Sequence, residues 1–243
     1  MNSTVFTLFI IIWIYFAAGA VLIYFINRRT TSIERKNAWI KYFVFMAIIN
    51  LFFLTIVYYP ARFKWLALLV TIGSSAEIFR LLILSKKIKE SLPVLLIFSL
   101  ILPGFMMFSG LGAVFLIYVF IVTMVFDAFS QLSGQLLGKT HFLKKISPNK
   151  TIEGTIGGTI MAVTTSVLLK DELWWLSDVL TALLFGLLIS FGAFTGDLVA
   201  SFYKRINGVK DFSKLIPGHG GILDRFDSLI FSGSLFWVII NLF

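Results

Sequence analysis

Between Val5 and Leu242 the sequence is a succession of apolar runs of helix length, interrupted by short loops rich in Lys and Arg. A bilayer core has no water to satisfy open backbone groups, so such runs fold as helices of about 20 residues. The runs extend over about Val5 to Ile26, Trp39 to Tyr58, Trp65 to Leu84, Leu92 to Phe108, Ala113 to Leu137, Thr151 to Leu169, Leu176 to Ser201 and Ile222 to Leu242. The expectation is an all-α polytopic membrane protein with about eight transmembrane helices. Composition agrees: only 14% of residues are charged, where a soluble domain carries roughly a quarter. No basic residue precedes the first run, and Arg28 and Arg29 follow it, so it is expected to be an uncleaved helix rather than a signal peptide.

The loops are asymmetric. Those after odd-numbered runs hold most of the Lys and Arg, including Arg35, Lys36, Lys86, Lys139, Lys150, Lys204 and Lys214, whereas those after even-numbered runs hold Arg62, Lys64 and Lys170. By the positive-inside rule the odd loops face the cytoplasm and both termini lie outside. The net charge of +9 therefore reads as topology and contact with anionic lipid or phosphate, not nucleic acid. The absence of Cys excludes disulfides, thiolate metal sites and Cys nucleophiles. With His141 and His219 as its only histidines, the chain must hold any metal mainly by carboxylates, which favours hard cations such as Mg²⁺. Residues 1–110 are expected to form a transmembrane scaffold. Residues 111–243 are expected to form the catalytic region, with its site facing the cytoplasm.

Charge is densest from Asp197 to Asp227, beside apolar helices, where ionisable groups are costly and mark a site. Asp224 and Asp227 are three apart and share one face of the last helix, with Arg225 pointing elsewhere. A cation would neutralise such a face, and two carboxylates with phosphate oxygens and water suit Mg²⁺. The alternative pairs each acid with a neighbouring base. Lys204, Arg205 and Lys210 suit a phosphate clamp. Gly218, Gly220 and Gly221 allow backbone N–H groups to approach a phosphate, and His219 either donates to that phosphate or braces the turn. Upstream, Asp127 lies within the fifth run. Ser147 is expected to cap the helix begun after Pro148, whose N-terminus would meet a second anion. Glu77 and Arg80, three apart in the third run, are expected to pair with each other inside the bundle.

These residues resemble the CDP-diacylglycerol synthase, or phosphatidate cytidylyltransferase, family. Its C-terminal signature is matched by Ser201, Lys204, Arg205, Lys210, Asp211, His219, Gly220, Gly221, Asp224, Arg225 and Asp227. Asp127, Gly134, Gly138 and Lys139 are similar to an upstream motif of that family, and Ser147 to Gly154 to another. Gln135 stands where the family has Arg, Asn149 where it has Lys, and Tyr203 where an aliphatic residue or Phe is usual. The resemblance implies transfer of CMP from CTP to phosphatidic acid, giving CDP-diacylglycerol and pyrophosphate, with Mg²⁺ and room for a second cation such as K⁺. It implies that Asp197, Asp224 and Asp227 surround the metal, and that Lys204, Arg205, Lys210, Asp211 and His219 complete the catalytic set. Asp127, Lys139, Ser147, Lys150, Thr151, Gly220, Gly221 and Arg225 would contact substrate. The implied setting is a bacterial inner membrane, with a homodimer compatible. The alternatives are a cytidylyltransferase acting on another phosphorylated lipid, such as an archaeal ether lipid, and a polytopic ion or solute transporter.

Overall fold

The computed structural model describes residues 3–26, 31–85, 87–173, 175–176, 178–216 and 220–242. Arg28, Arg29, Lys86, Gly218 and His219 lie outside the described residues.

Among the described residues eight α-helices follow one another: α1 (Ser3–Ile26), α2 (Ser32–Tyr58), α3 (Pro60–Leu84), α4 (Ile88–Phe108), α5 (Ala113–Leu137), α6 (Ile152–Leu169), α7 (Val179–Ile206) and α8 (Leu223–Ile240), with a 3₁₀ turn at Lys170–Glu172. Their ends follow local chemistry. Pro60 opens α3, where its missing N–H costs nothing. Asp178 caps α7 by accepting from the Thr181 N–H at 2.8 Å. At the other end of α7, Gly208 takes φ +69°, and the N–H groups of Val209 and Gly208 close back onto the Lys204 and Arg205 carbonyls at 3.0 and 3.1 Å. The helices α2 to α7 are long and apolar enough to cross a bilayer, six in all. The two remaining helices do not meet that measure among the described residues. The described apolar stretch of α1 is Ile12–Phe25, and α8 carries Asp224, Arg225 and Asp227 in its first turns. The all-α membrane architecture is thus as expected, with eight helices present and six carrying the full length and composition of a crossing.

Helix α8 is the axis of the bundle. It packs on α7, α4, α5 and α3, and nearly every residue from Leu223 to Phe236 is buried. The closest contact is with α7, because the facing α7 residues are glycines. A Cβ on Gly192 would lie 2.7 Å from the Ser232 Cα, and one on Gly196 would lie 2.5 Å from the Asp227 carbonyl oxygen. Small residues at such crossings are how membrane helices gain packing where lipid supplies no hydrophobic drive between them. Phenylalanine fills the rest: Phe52 stacks on Phe226 with ring centroids 4.8 Å apart and stands edge-on to Phe63 at 5.7 Å. Trp65, Leu69, Ile83, Leu96 and Leu100 point outward, as lipid-facing residues do.

The two ends of the bundle differ. Near the α6–α7 connection, Trp175 packs against Tyr118, Phe185 and Phe236. There the Tyr118 hydroxyl donates to Ser166 Oγ at 2.6 Å, since that hydroxyl itself donates to the Ala182 carbonyl. The α5–α6 and α7–α8 connections lie at the other end and carry Lys139, Lys150, Lys210 and Asp211.

Candidate active site

The α7–α8 connection is tied down by Asp224, in the first turn of α8. The Lys204 ammonium, on the last turns of α7, sits 2.6 Å from Asp224 Oδ1. The backbone N–H groups of Phe212 and Gly221 both donate to Asp224 Oδ2 at 2.8 Å. Lys204 and Asp224 are both buried, at 8% exposure each, and the pair holds because each charge has its counterpart and Asp224 has further donors. Gly220 takes φ +87°, and a Cβ there would lie 2.8 Å from Asp224 Oδ2. Only glycine meets both conditions.

Glu77 holds the same segment from the far side. It sits on α3, buried, and accepts from the Ser213 hydroxyl at 2.6 Å and from the N–H groups of Ile222 and Leu223 at 2.9 Å each. These two N–H groups are among the unpaired donors at the start of α8, and Ile222 offers no side-chain cap. A Cβ on Gly221 would collide with both Glu77 carboxylate oxygens. The Glu77–Arg80 pair expected from sequence does not form: Arg80 is exposed, and among the described residues it makes no ion pair. A helix N-terminus attracts a carboxylate more strongly than a solvated guanidinium does. The next residue along α3 is engaged as well, since the buried Tyr203 hydroxyl donates to the Ile78 carbonyl at 3.1 Å. That bond gives a reason for Tyr at this position.

Of the glycines expected to cradle a phosphate, Gly221 has its N–H engaged within the protein, and Gly218 lies outside the described residues. The N–H groups of Gly221, Ile222 and Leu223 are filled by Asp224 and Glu77 rather than open to an anion.

A second group of acids lies deeper. Asp127 on α5, Asp197 on α7 and Asp227 on α8 are within electrostatic reach of one another. Asp227 is brought to Asp197 by the tight Gly196 crossing. Asp197 is paired with the Lys150 ammonium at 2.9 Å and accepts from the Ser201 hydroxyl at 3.1 Å. Asp127 accepts from the Ser228 hydroxyl at 3.1 Å, and Asp227 from the Ser228 N–H at 2.8 Å. Neither Asp127 nor Asp227 has an ion pair among the described residues, although Arg225 lies within electrostatic reach of Asp127 and Lys204 of Asp227. Asp224 and Asp227 do share the buried face expected of them, with Arg225 exposed. They then diverge: Asp224 serves the loop, and Asp227 faces the other acids.

The α5–α6 connection supplies Lys150. Helix α6 begins at Ile152, and its cap is Thr151, whose Oγ accepts from the Gly154 N–H at 3.1 Å. Ser147, expected as the cap, lies in a turn before it; its place is too early because Lys150 still belongs to the loop. Glu153 clamps the other side of this loop, accepting from the Lys139 and Thr140 N–H groups and from the Thr140 hydroxyl at 2.8 Å. The Lys139 side chain is exposed. Arg205 joins the two connections, donating from Nε to the Ile146 carbonyl at 3.0 Å and from Nη1 to the Val209 carbonyl at 2.9 Å. Lys210 and Asp211 are exposed on the α7–α8 connection.

The sequence profile of the cytidylyltransferase family matches residues 1–243. The chain belongs to the cytidylyltransferase family. It is 47% identical over 115 residues to phosphatidate cytidylyltransferase 4, chloroplastic, of Arabidopsis thaliana, covering 47% of this chain and 29% of that one. It is 44% identical over 128 residues to the phosphatidate cytidylyltransferase of Helicobacter pylori, covering 52% and 47%. Against that of Staphylococcus haemolyticus it is 40% identical over 131 residues, covering 53% and 50%. The chain thus spans half or less of the length of these curated relatives. The family relation bears out the expectation drawn from the signature.

For a cytidylyltransferase-family chain the donor chemistry fits a hard cation. A carboxylate drawn out of water without an ion-paired cation is unfavourable, and among the described residues the buried Asp227 and the half-buried Asp127 are in that position. Among the described residues no three acidic or histidine side chains are close enough to hold an ion by themselves. Protein oxygens would thus fill only part of a coordination shell and leave the rest to phosphate and water. Asp224 fits this role less well than Asp227, because both its oxygens already accept from protein donors; Asp197 likewise has both oxygens engaged, by Ser201 and Lys150, and would exchange Lys150 for the ion.

Proposed function

We propose that this chain transfers CMP from CTP to phosphatidic acid within a membrane, giving CDP-diacylglycerol and pyrophosphate. The observation that carries the reading is the gathering of Asp127, Asp197 and Asp227 beside Lys150, Lys204 and Arg225 at one end of the bundle. In this reaction a phosphate oxygen of the lipid forms a bond to the α-phosphorus of CTP. The bond from that phosphorus to the bridging oxygen breaks, and its electron pair leaves with pyrophosphate. The nucleophile is already an anion, so no general base is required, which suits a site without Cys and with little His. Two anions must be brought together, so the protein's task is to hold them in line and offset their repulsion.

Asp197 and Asp227, with Asp127 in reach, would hold Mg²⁺, which supplies charge neutralisation at the phosphates when bound. Lys150 answers Asp197; with a cation held by Asp197, its ammonium would be free to meet substrate phosphate. Arg225 and the exposed Lys210 and Lys139 extend the positive surface. Asp224 acts through Lys204 and the loop. The second half of the chain carries the chemistry and the first half supports it. The basic loops support a cytoplasm-facing site in a bacterial inner membrane; a homodimer and a K⁺ site rest on the family resemblance alone.

The transporter reading is weaker. It calls for ionisable groups spread through the membrane, and Glu77, which sequence put mid-helix, reaches the same end as the other acids. The test is direct: purified protein in detergent with labelled CTP, phosphatidic acid and Mg²⁺ yields lipid-linked CMP, and EDTA abolishes it. Product from an ether-lipid phosphate but not from phosphatidic acid would change the substrate. No product from either would overturn the reading.

A further inference from the structure

We infer that Glu77 is a positioning residue of the active site: a carboxylate supplied by α3 that caps the N-terminus of α8 and thereby sets where Asp227 stands. This inference rests on the proposed function for its kinetic part and on geometry alone for the rest.

Three features point to it. The first is chemical economy: a buried carboxylate in a membrane helix is costly and persists where it has a function. At 6% exposure, Glu77 has no cationic partner among the described residues. Its charge is answered by three donors: the Ser213 hydroxyl and the Ile222 and Leu223 N–H groups. The second is the absence of any cap from the helix itself, since Ile222 and Leu223 would otherwise expose unpaired N–H groups at a buried site. The third is convergence. Glu77 and Asp224 divide three consecutive N–H groups between them, Gly221 going to Asp224 and the next two to Glu77. With both in place, the start of α8 has no freedom to rotate or slide. Asp227 lies one turn further on, at the Gly196 crossing, so a small shift at the cap is carried directly to it.

The N-terminal half is therefore part of the site's geometry. Glu77 acts on the site through α8.

The distinguishing substitution is Glu77→Gln, which keeps the shape but presents an NH₂ toward one of the donors it must accept. Misplacement of this kind, remote from the chemistry, costs about 10²-fold in rate. The expected result is a fall in kcat of that order with KM for CTP little changed, because the exposed basic residues that meet the nucleotide are untouched. Ser213→Ala lowers kcat less in the wild-type background and adds little to Glu77→Gln, since the two share one bond. Glu90→Gln, on an exposed pair with Lys87, is the control and retains wild-type kcat. Hydrogen exchange supplies a readout independent of activity: the Ile222 and Leu223 amides of Glu77→Gln exchange faster, while amides in α5 and α6 are unchanged. Wild-type kcat in Glu77→Gln overturns the positioning role, as does a fall in kcat with unaltered exchange at those two amides. If the wild type forms no lipid-linked CMP, the proposed reaction fails. Exchange still decides whether Glu77 holds α8, and unchanged protection then overturns the inference.

Discussion

Helices α6 and α8 both begin at the charged end, and they are capped in opposite ways. Helix α6 uses its own sequence: Thr151 accepts from Gly154, and Glu153 reaches back to Lys139 and Thr140. Helix α8 has no such local cap and takes Glu77, 145 residues away from Ile222 in sequence. A local cap fixes a helix end in itself. A distant one fixes that end relative to another helix, which is what a site assembled from α5, α7 and α8 requires.

The sharpest way to break this contrast is at the acids that α8 delivers. Asp227→Asn should lower CMP transfer by about 10²–10³-fold, the scale of losing one electrostatic contact to a transition state, while the protein still elutes as a folded species in detergent. Full activity would remove Asp227 from the site. Next comes the pair that anchors the loop. Lys204→Met leaves Asp224 buried without its counter-charge, which should cost about 3–5 kcal/mol, read as a lowered thermal midpoint. Adding Asp224→Leu should return much of that stability without returning activity; recovery of both would reduce the pair to packing. The local cap should matter less. Thr151→Ala is expected to cost about 1 kcal/mol, with KM and kcat changed less than in Glu77→Gln. If Thr151→Ala proved the more damaging to kcat, the contrast between the two caps would be reversed. At the small end, Arg80→Ala should stay within about 0.5 kcal/mol of wild type, because the side chain is exposed and unpaired among the described residues.

What could be read from sequence divides along the same line. Helix positions were legible because apolar runs of bilayer length dominate the chain; the ends set by Asp178 and Gly208 emerged only in the structure, where α7 continues past Ser201 to Ile206. The carboxylate face of α8 was legible from the spacing of Asp224 and Asp227. Its division of labour was not, because nothing in a helical spacing tells that one acid meets Lys204 and two loop N–H groups while the other meets Asp127 and Asp197. Ser147 and Thr151 are both good caps by type, and the choice depends on where Lys150 must stand to reach Asp197. Glu77 was read against Arg80 because they are neighbours on one helix. Its true partners are donors that exist only once α8 has arrived beside α3. The glycine pair before α8 is visible in the sequence, but only the structure shows that Gly221 leaves no room for a side chain against Glu77.

That dependence on α8 has a consequence for biosynthesis. A membrane protein is threaded into the bilayer from its N-terminus, and α3 emerges long before the last helix is made. Until then Glu77 sits in a membrane segment with the N–H groups it needs not yet synthesised, and the nascent chain carries an unanswered carboxylate. Arrival of α8 neutralises it and completes the catalytic end in one event. A chain cut before Ile222 lacks the N–H groups that Glu77 accepts from in the finished fold.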